Sequence, residues 1–311
     1  MTDTHRPPTR ADPLMILAMD HRESFGRTLF SVKDDRPTSD QVAAMESAKL
    51  LIYQGLVRAS ARVPVGHAGV LVDERYGQAV IDAARQAAIT LAVPIEHSGR
   101  EWFELEWGDE WREHVRRVRP DYAKVLVRDN PGYDANDRHA QLSRLRVVSD
   151  VLHEEGVPLL YELLVPATSD QLSSIGGDAY AYDRDVRPAL VARVMADNQR
   201  AGVEPTIWKV EGLETEDAAR AIVDQARAGG RAVDAIVLGR DAPTDRLNHW
   251  LDVAAPIQGF VGFAIGRSIW EDAVRDWHDG RAGEEQSVER VAERYLAFAE
   301  RWATAMPDRT M

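Results

Sequence analysis

The chain has 311 residues, 44% hydrophobic and 29% charged, enough to bury a sizeable core and too apolar for a disordered polymer. It contains no cysteine, which excludes disulfides, thiolate metal ligands and a cysteine nucleophile and fits a reducing cytoplasm. A formal net charge of −13 argues against a nucleic-acid surface, and no apolar run approaches the roughly 18 residues of a membrane span. The expected partner is therefore a small molecule, and an anionic one would need cations gathered in a pocket against the overall field.

In chain order, residues 1–13 carry no periodic pattern and are expected to form a flexible tail. Apolar, β-rich runs follow at 14–20, 67–74, 91–97, 121–128, 158–165, 206–212, 234–240 and 258–266. Amphipathic stretches at 41–59, 77–88, 138–155, 185–200, 215–228 and 287–302 separate or follow them. Apolar strands alternating with helices imply a parallel sheet covered by helices. Eight such units predict an α/β fold, a single (β/α)8 TIM barrel spanning 14–306. Neither G-x-G-x-x-G nor G-x-x-x-x-G-K occurs, so no nucleotide cofactor is expected, and no metal either. The Ser/Gly-rich segment 167–185 is long for a barrel connection and is a candidate lid. Exposed apolar residues on the helices would allow a homo-oligomer.

Barrel enzymes work at the C-terminal ends of their strands. Here the runs end in Asp20-His21-Arg22, Asp73-Glu74-Arg75, Glu96-His97, Arg128, Gly239-Arg240-Asp241 and Gly266-Arg267-Ser268. Three charges lie inside apolar runs instead: Lys124 on the fourth, Glu162 on the fifth and Lys209 on the sixth, which also carries Glu211. A charge inside a barrel strand is costly unless it is paired or used. Lysine is also scarce. Only Lys33, Lys49, Lys124 and Lys209 stand among 38 basic residues, and lysine, unlike arginine, can lose its proton and form an imine.

Alternation sharpens the picture. If Lys209 faces the barrel axis, so do Ile207 and Glu211, while Trp208 and Val210 face the helices. Lys124, Glu162 and Lys209 then share a pocket in which one lysine is the nucleophile and the carboxylate carries protons. At the ends of strands seven and eight, Gly239, Arg240, Gly266 and Arg267 predict an anion site that combines guanidinium groups with a helix N-terminus.

The motif set MDHRES (19–24), YAKVLV (122–127), YELLVP (161–166), WKVEG (208–212) and IGRSIW (265–270) resembles the tagatose-bisphosphate aldolases. It resembles more closely the 2-deoxy-5-keto-gluconate-6-phosphate aldolases of inositol catabolism. The Leu-Gly-Arg-Asp turn at 238–241 lacks the serine of the tagatose enzymes, which favours the second group. The resemblance implies a cytoplasmic class I aldolase with Lys209 as the imine-forming lysine and Glu162 and Lys124 as its acid/base and electrostatic partners. It further implies Asp20 and Arg22 as substrate contacts and Arg267 as a phosphate ligand, and His21, Glu211 and Arg128 are added as substrate-binding candidates. The cation for the substrate's carboxylate stays open among Arg22, Arg75, Arg100 and Arg128. Two rival readings are a metal-dependent lyase or epimerase using His21, Asp73, Glu96, His97 or Glu162, and a non-catalytic sugar-phosphate sensor.

Overall fold

The computed structural model describes residues 7–307 except Val65 and Ala88. Its first half runs β1 (Leu14–Ala18), α1 (Glu23–Phe30), α2 (Ser39–Ser60), β2 (His67–Leu71), α3 (Glu74–Ala84), β3 (Thr90–Pro94), α4 (Trp111–Val118), β4 (Tyr122–Arg128) and α5 (Ala135–Glu154). The second half runs β5 (Leu159–Leu164), α6 (Ser169–Ser174), α7 (Ala179–Ala181), a π turn (Tyr182–Val186), α8 (Arg187–Ala201), β6 (Ile207–Glu211) and α9 (Glu216–Ala226). It ends with β7 (Asp234–Leu238), α10 (Thr244–Ala254), β8 (Phe260–Ile265), α11 (Arg267–His278) and α12 (Glu284–Ala305).

The strands close into one parallel barrel in the order β1 to β8, as the alternation predicts. Closure depends on Gly262, whose φ of 137° and missing side chain let β8 pass beside β1; a Cβ there would lie 1.9 Å from the Leu14 carbonyl oxygen. Local signals set the helix starts. Thr38 and Gln41 form a reciprocal capping box on α2, and the Asp73 and Asp134 side chains accept first-turn N–H groups of α3 and α5.

Two apolar clusters follow from strand alternation. Leu14, Ile16, Leu71, Leu160, Ile207 and Ile236 fill the lower barrel interior. Trp208 and Val210 belong to the larger cluster between strands and helices, so Ile207 and Trp208 face as the sequence predicts. At the closing seam the buried Tyr295 hydroxyl donates to the Met15 carbonyl at 2.8 Å and fixes α12 to β1.

The proposed tail lies in part, 1–6, outside the described residues. From 7 to 13 the chain is held rather than loose: Thr9 and Asp12 exchange backbone hydrogen bonds at 3.1 Å, and Arg10 donates to the Pro256 carbonyl at 3.1 Å. Segment 167–185 also departs from a free lid. It folds into α6, α7 and the start of the π turn. Its anchors are the Tyr182 hydroxyl on the Val165 carbonyl at 2.9 Å and the paired amides of Gln171 and Asn130.

Candidate active site

Interior positions change character toward the C-terminal ends of the strands. On β4 the inward row reads Tyr122, Lys124, Leu126, Arg128, and on β5 it reads Leu160, Glu162, Leu164. The apolar floor therefore gives way to charge at the mouth, where a cavity of about 380 Å³ opens. Asp20, His21, Glu96, Lys124, Glu162 and Lys209 are among its lining residues.

Glu162 sits between two ammonium groups. It is the Cα partner of Lys209 across β5 and β6 and of Leu126 across β4 and β5. Its Oε1 is 2.8 Å from Lys209 Nζ and its Oε2 is 2.9 Å from Lys124 Nζ. Lys124 also donates to Asp20 Oδ2 at 2.8 Å and Glu96 Oε1 at 2.9 Å, so three carboxylates surround its ammonium. Lys209 has a single carboxylate partner among the described residues.

This asymmetry separates the two lysines. Burial alone would lower the Lys124 pKa, but Asp20, Glu162 and Glu96 outweigh it and hold the ammonium well above the ordinary lysine range. Burial likewise opposes ionisation of Glu162 and Asp20, yet Lys124 and Lys209 keep both carboxyls below their usual range. Glu96 behaves differently. Burial pushes its carboxyl up despite Lys124 and Arg22, and its Oε2 has no hydrogen-bond partner. Burial also lowers His21 to about 4, so its imidazole is neutral at neutral pH, with Nδ1 unpartnered.

The arginines divide by what already holds them. Arg22, a predicted substrate contact, is buried and donates to the Glu96 carbonyl at 2.9 Å while pairing with Glu106 at 3.1 Å. It forms part of the wall and positions Glu96. Glu211 departs from its predicted place altogether. It is absent from the cavity lining, accepts the Val165 N–H at 2.9 Å, and pairs with Arg187 at 2.8 Å and Arg240 at 3.0 Å. β6 ends at that residue, so the inward alternation stops above Lys209. Arg240 lines the cavity with Gly239, but its Nη1 is engaged by Asp183 at 2.9 Å. Arg267 pairs with Asp241, and its buried Nε lacks a partner. Gly266 precedes α11, a helix that no side chain caps. Arg75 pairs with Glu23 and does not line the cavity, whereas Arg100 and Arg128 do.

Two features escape the sequence reading. The wall that covers the cavity comes from the loop after β3, where an antiparallel bridge between Glu96 and Leu105 holds residues 98–103 over the mouth; segment 167–185 does not line it. Lys49 on α2 is fully buried, pairs with Asp73 and donates to the carbonyls of Met19 at 2.7 Å and His21 at 3.0 Å. The adjacent carbonyls show that it shapes the β1 end from behind. A single lysine on a long amphipathic helix gives no sequence sign of this.

For a metal, the carboxylates are already committed. Asp73 is held by Lys49 and Glu162 by two lysines, and among the described residues no three His, Asp or Glu converge as ion ligands.

The fold defines a (β/α)8 barrel protein built on the same plan as fructose-bisphosphate aldolase. By sequence, the chain belongs to the family described as "Uncharacterized protein conserved in bacteria (DUF2090)", which matches residues 2–306. No curated protein gives a significant sequence match. Among solved structures, Cgl0159 from Corynebacterium glutamicum matches at TM-score 0.57 and 15% identity, over 93% of this chain and 85% of that one. Fructose-bisphosphate aldolase from Plasmodium falciparum, solved with TRAP and a small-molecule inhibitor, matches at TM-score 0.66 and 12% identity, over 94% and 91%. At these identities the likeness concerns the fold alone. Among the described residues no helix is long and apolar enough to cross a membrane.

Proposed function

We propose that this protein is a class I aldolase acting on a ketose phosphate through an imine on Lys209. One observation carries the reading: Glu162 bridges two lysines, of which Lys124 is saturated by three carboxylates and Lys209 is not. The saturated ammonium supplies fixed positive charge. The other lysine keeps positions on its nitrogen free for a carbonyl carbon.

The substrate we infer, in line with the motif resemblance, is 2-deoxy-5-keto-gluconate 6-phosphate. Lys209 hands its proton to Glu162, 2.8 Å away, and adds to the C5 ketone, and the carbonyl oxygen leaves as water, taking that proton back, to give an iminium. Glu162, held as a carboxylate, takes the C3 hydroxyl proton directly or through water. The C3–C4 bond breaks, its electron pair moves into the iminium, and malonate semialdehyde departs. The remaining enamine is protonated at C4 and hydrolysed, releasing dihydroxyacetone phosphate and free Lys209. Glu162, protonated by the C3 hydroxyl, can return that proton to the enamine carbon and so recover its carboxylate. The phosphate is assigned to Gly239, Arg240, Gly266 and Arg267. The uncapped start of α11 and the unpartnered Arg267 Nε support that assignment.

Borohydride added during turnover should leave a reduced adduct on the peptide containing Lys209, read by mass spectrometry. Active enzyme with every lysine unmodified would overturn the mechanism.

A further inference from the structure

Six arginines line the cavity: Arg22, Arg27, Arg100, Arg128, Arg240 and Arg267. Five already have carboxylate partners, namely Glu96 and Glu106 for Arg22, Asp35 for Arg27, Glu104 for Arg100, Asp183 and Glu211 for Arg240, and Asp241 for Arg267. Arg128 has none among the described residues. Its one side-chain hydrogen bond is from Nη1 to the Arg100 carbonyl at 3.1 Å, which fixes the guanidinium without neutralising it. An uncompensated cation facing a cavity in a chain of net charge −13 is a built-in preference for an anion.

The barrel order says which anion. β4, which carries Arg128, lies directly across the closed barrel from β8, where Gly266 and Arg267 begin α11. β6, which carries Lys209, stands two strands from each. In register, Arg128 is level with Leu164, while Lys209 is level with Glu162 two residues lower, a rise of about 7 Å. A ligand whose reactive carbonyl meets Lys209 therefore has one end toward β8 and the other rising toward β4.

We infer that Arg128 binds a carboxylate at the end of the substrate remote from the phosphate, and so selects a keto-acid phosphate over a neutral ketose phosphate. A carboxylate suits this position better than a second phosphate. A phosphate monoester carries about −1.5 to −2 at neutral pH and would exceed one guanidinium, whereas a carboxylate balances it and matches its fork. Arg22 and Arg75 are poor rivals: the first is committed to Glu96 and Glu106, and the second lies outside the cavity. The inference rests on the aldolase reading for the identity of the carbonyl, but the anion preference can be measured without any chemistry.

The experiment compares two unreactive ligands by calorimetry. 6-Phosphogluconate carries a carboxylate and a phosphate at opposite ends, and glucitol 6-phosphate lacks the carboxylate. Wild-type protein should bind 6-phosphogluconate roughly ten- to a hundredfold more tightly, the worth of one charge-assisted contact. Arg128→Gln should erase that preference, and Arg128→Lys should keep only part of it. Binding of glucitol 6-phosphate by both variants reports that the cavity is folded. No preference in wild-type protein, or a preference that survives Arg128→Gln, overturns the inference. Borohydride trapping of wild-type protein with dihydroxyacetone phosphate tests the aldolase reading separately. Failure to trap, with the carboxylate preference intact, removes the chemistry and leaves the anion site standing.

Discussion

Glu162 and Lys209 are Cα partners on adjacent strands, and their side chains meet at 2.8 Å inside the barrel. Parallel register puts a carboxylate at the height of the lysine proposed to form the imine, and Lys124 holds the other oxygen at 2.9 Å. Glu162→Gln keeps the shape but removes the proposed base. Turnover should fall by roughly 10²- to 10⁴-fold, while borohydride still traps an adduct on Lys209. Steady-state rates set against trapped yield decide it; loss of both together would mean that Glu162 is needed for imine formation itself.

Lys124 neutralises a cluster that cannot stand without it. Lys124→Met leaves Asp20, Glu96 and Glu162 facing one another in a buried site, and breaking a buried pair in this way costs about 3–5 kcal/mol. Those carboxyls would then rise in pKa in the folded state above their unfolded values. The folded protein would bind more protons than the unfolded chain, so stability would fall as pH rises. Urea midpoints of the variant should be higher near pH 5 than near pH 7.5. A pH-independent deficit would show that the carboxylates do not depend on this ammonium.

His21 gives the opposite dependence. Burial lowers its folded pKa to about 4, from 6.5 for the free side chain, with Asp20 opposing the shift and Arg267, Lys49 and Lys209 adding to it. Its contribution to stability is thus present above 6.5 and is lost as pH falls toward 4. The ring proton resonances should titrate with a midpoint near 4 in the folded protein. A midpoint near 6.5 would mean that the ring is solvated and does not border the anion site as a neutral group.

How much of this was legible depends on what each residue answers to. The barrel and the Lys124, Glu162 and Lys209 cluster follow from strand alternation, a local property with a period of two. Charges inside apolar runs could be read as a shared pocket because adjacent strands of a parallel barrel pair in order. Glu211 broke that logic because the strand ends there and its side chain turns to Arg187. Arg22 lines the cavity, but nothing in MDHRES reveals Glu106, which comes from a distant loop to hold it. Long-range neutralisation of one charge by another has no sequence period. Scarcity alone treats Lys49 and Lys209 alike, and only the apolar strand around Lys209 singles it out; Lys49 is held by Asp73 and two backbone carbonyls.

Breaking that hold has a measurable cost. Lys49 is buried with Asp73, and its three donors meet one carboxylate and the carbonyls of Met19 and His21. Methionine replaces the ammonium with an apolar chain and leaves Asp73 charged and two carbonyls unpaired. Lys49→Met should lower stability by about 3–5 kcal/mol in urea denaturation. Asp73 also accepts the Tyr76 N–H at 2.9 Å and so starts α3, a duty that asparagine can keep. The double change Lys49→Met with Asp73→Asn should therefore recover part of the loss, because the buried charge is gone while the cap remains. If the two single losses simply add, the pair is not coupled and Lys49 acts through packing. Because its carbonyl partners flank Asp20, the surviving folded fraction of Lys49→Met should also show a reduced turnover number.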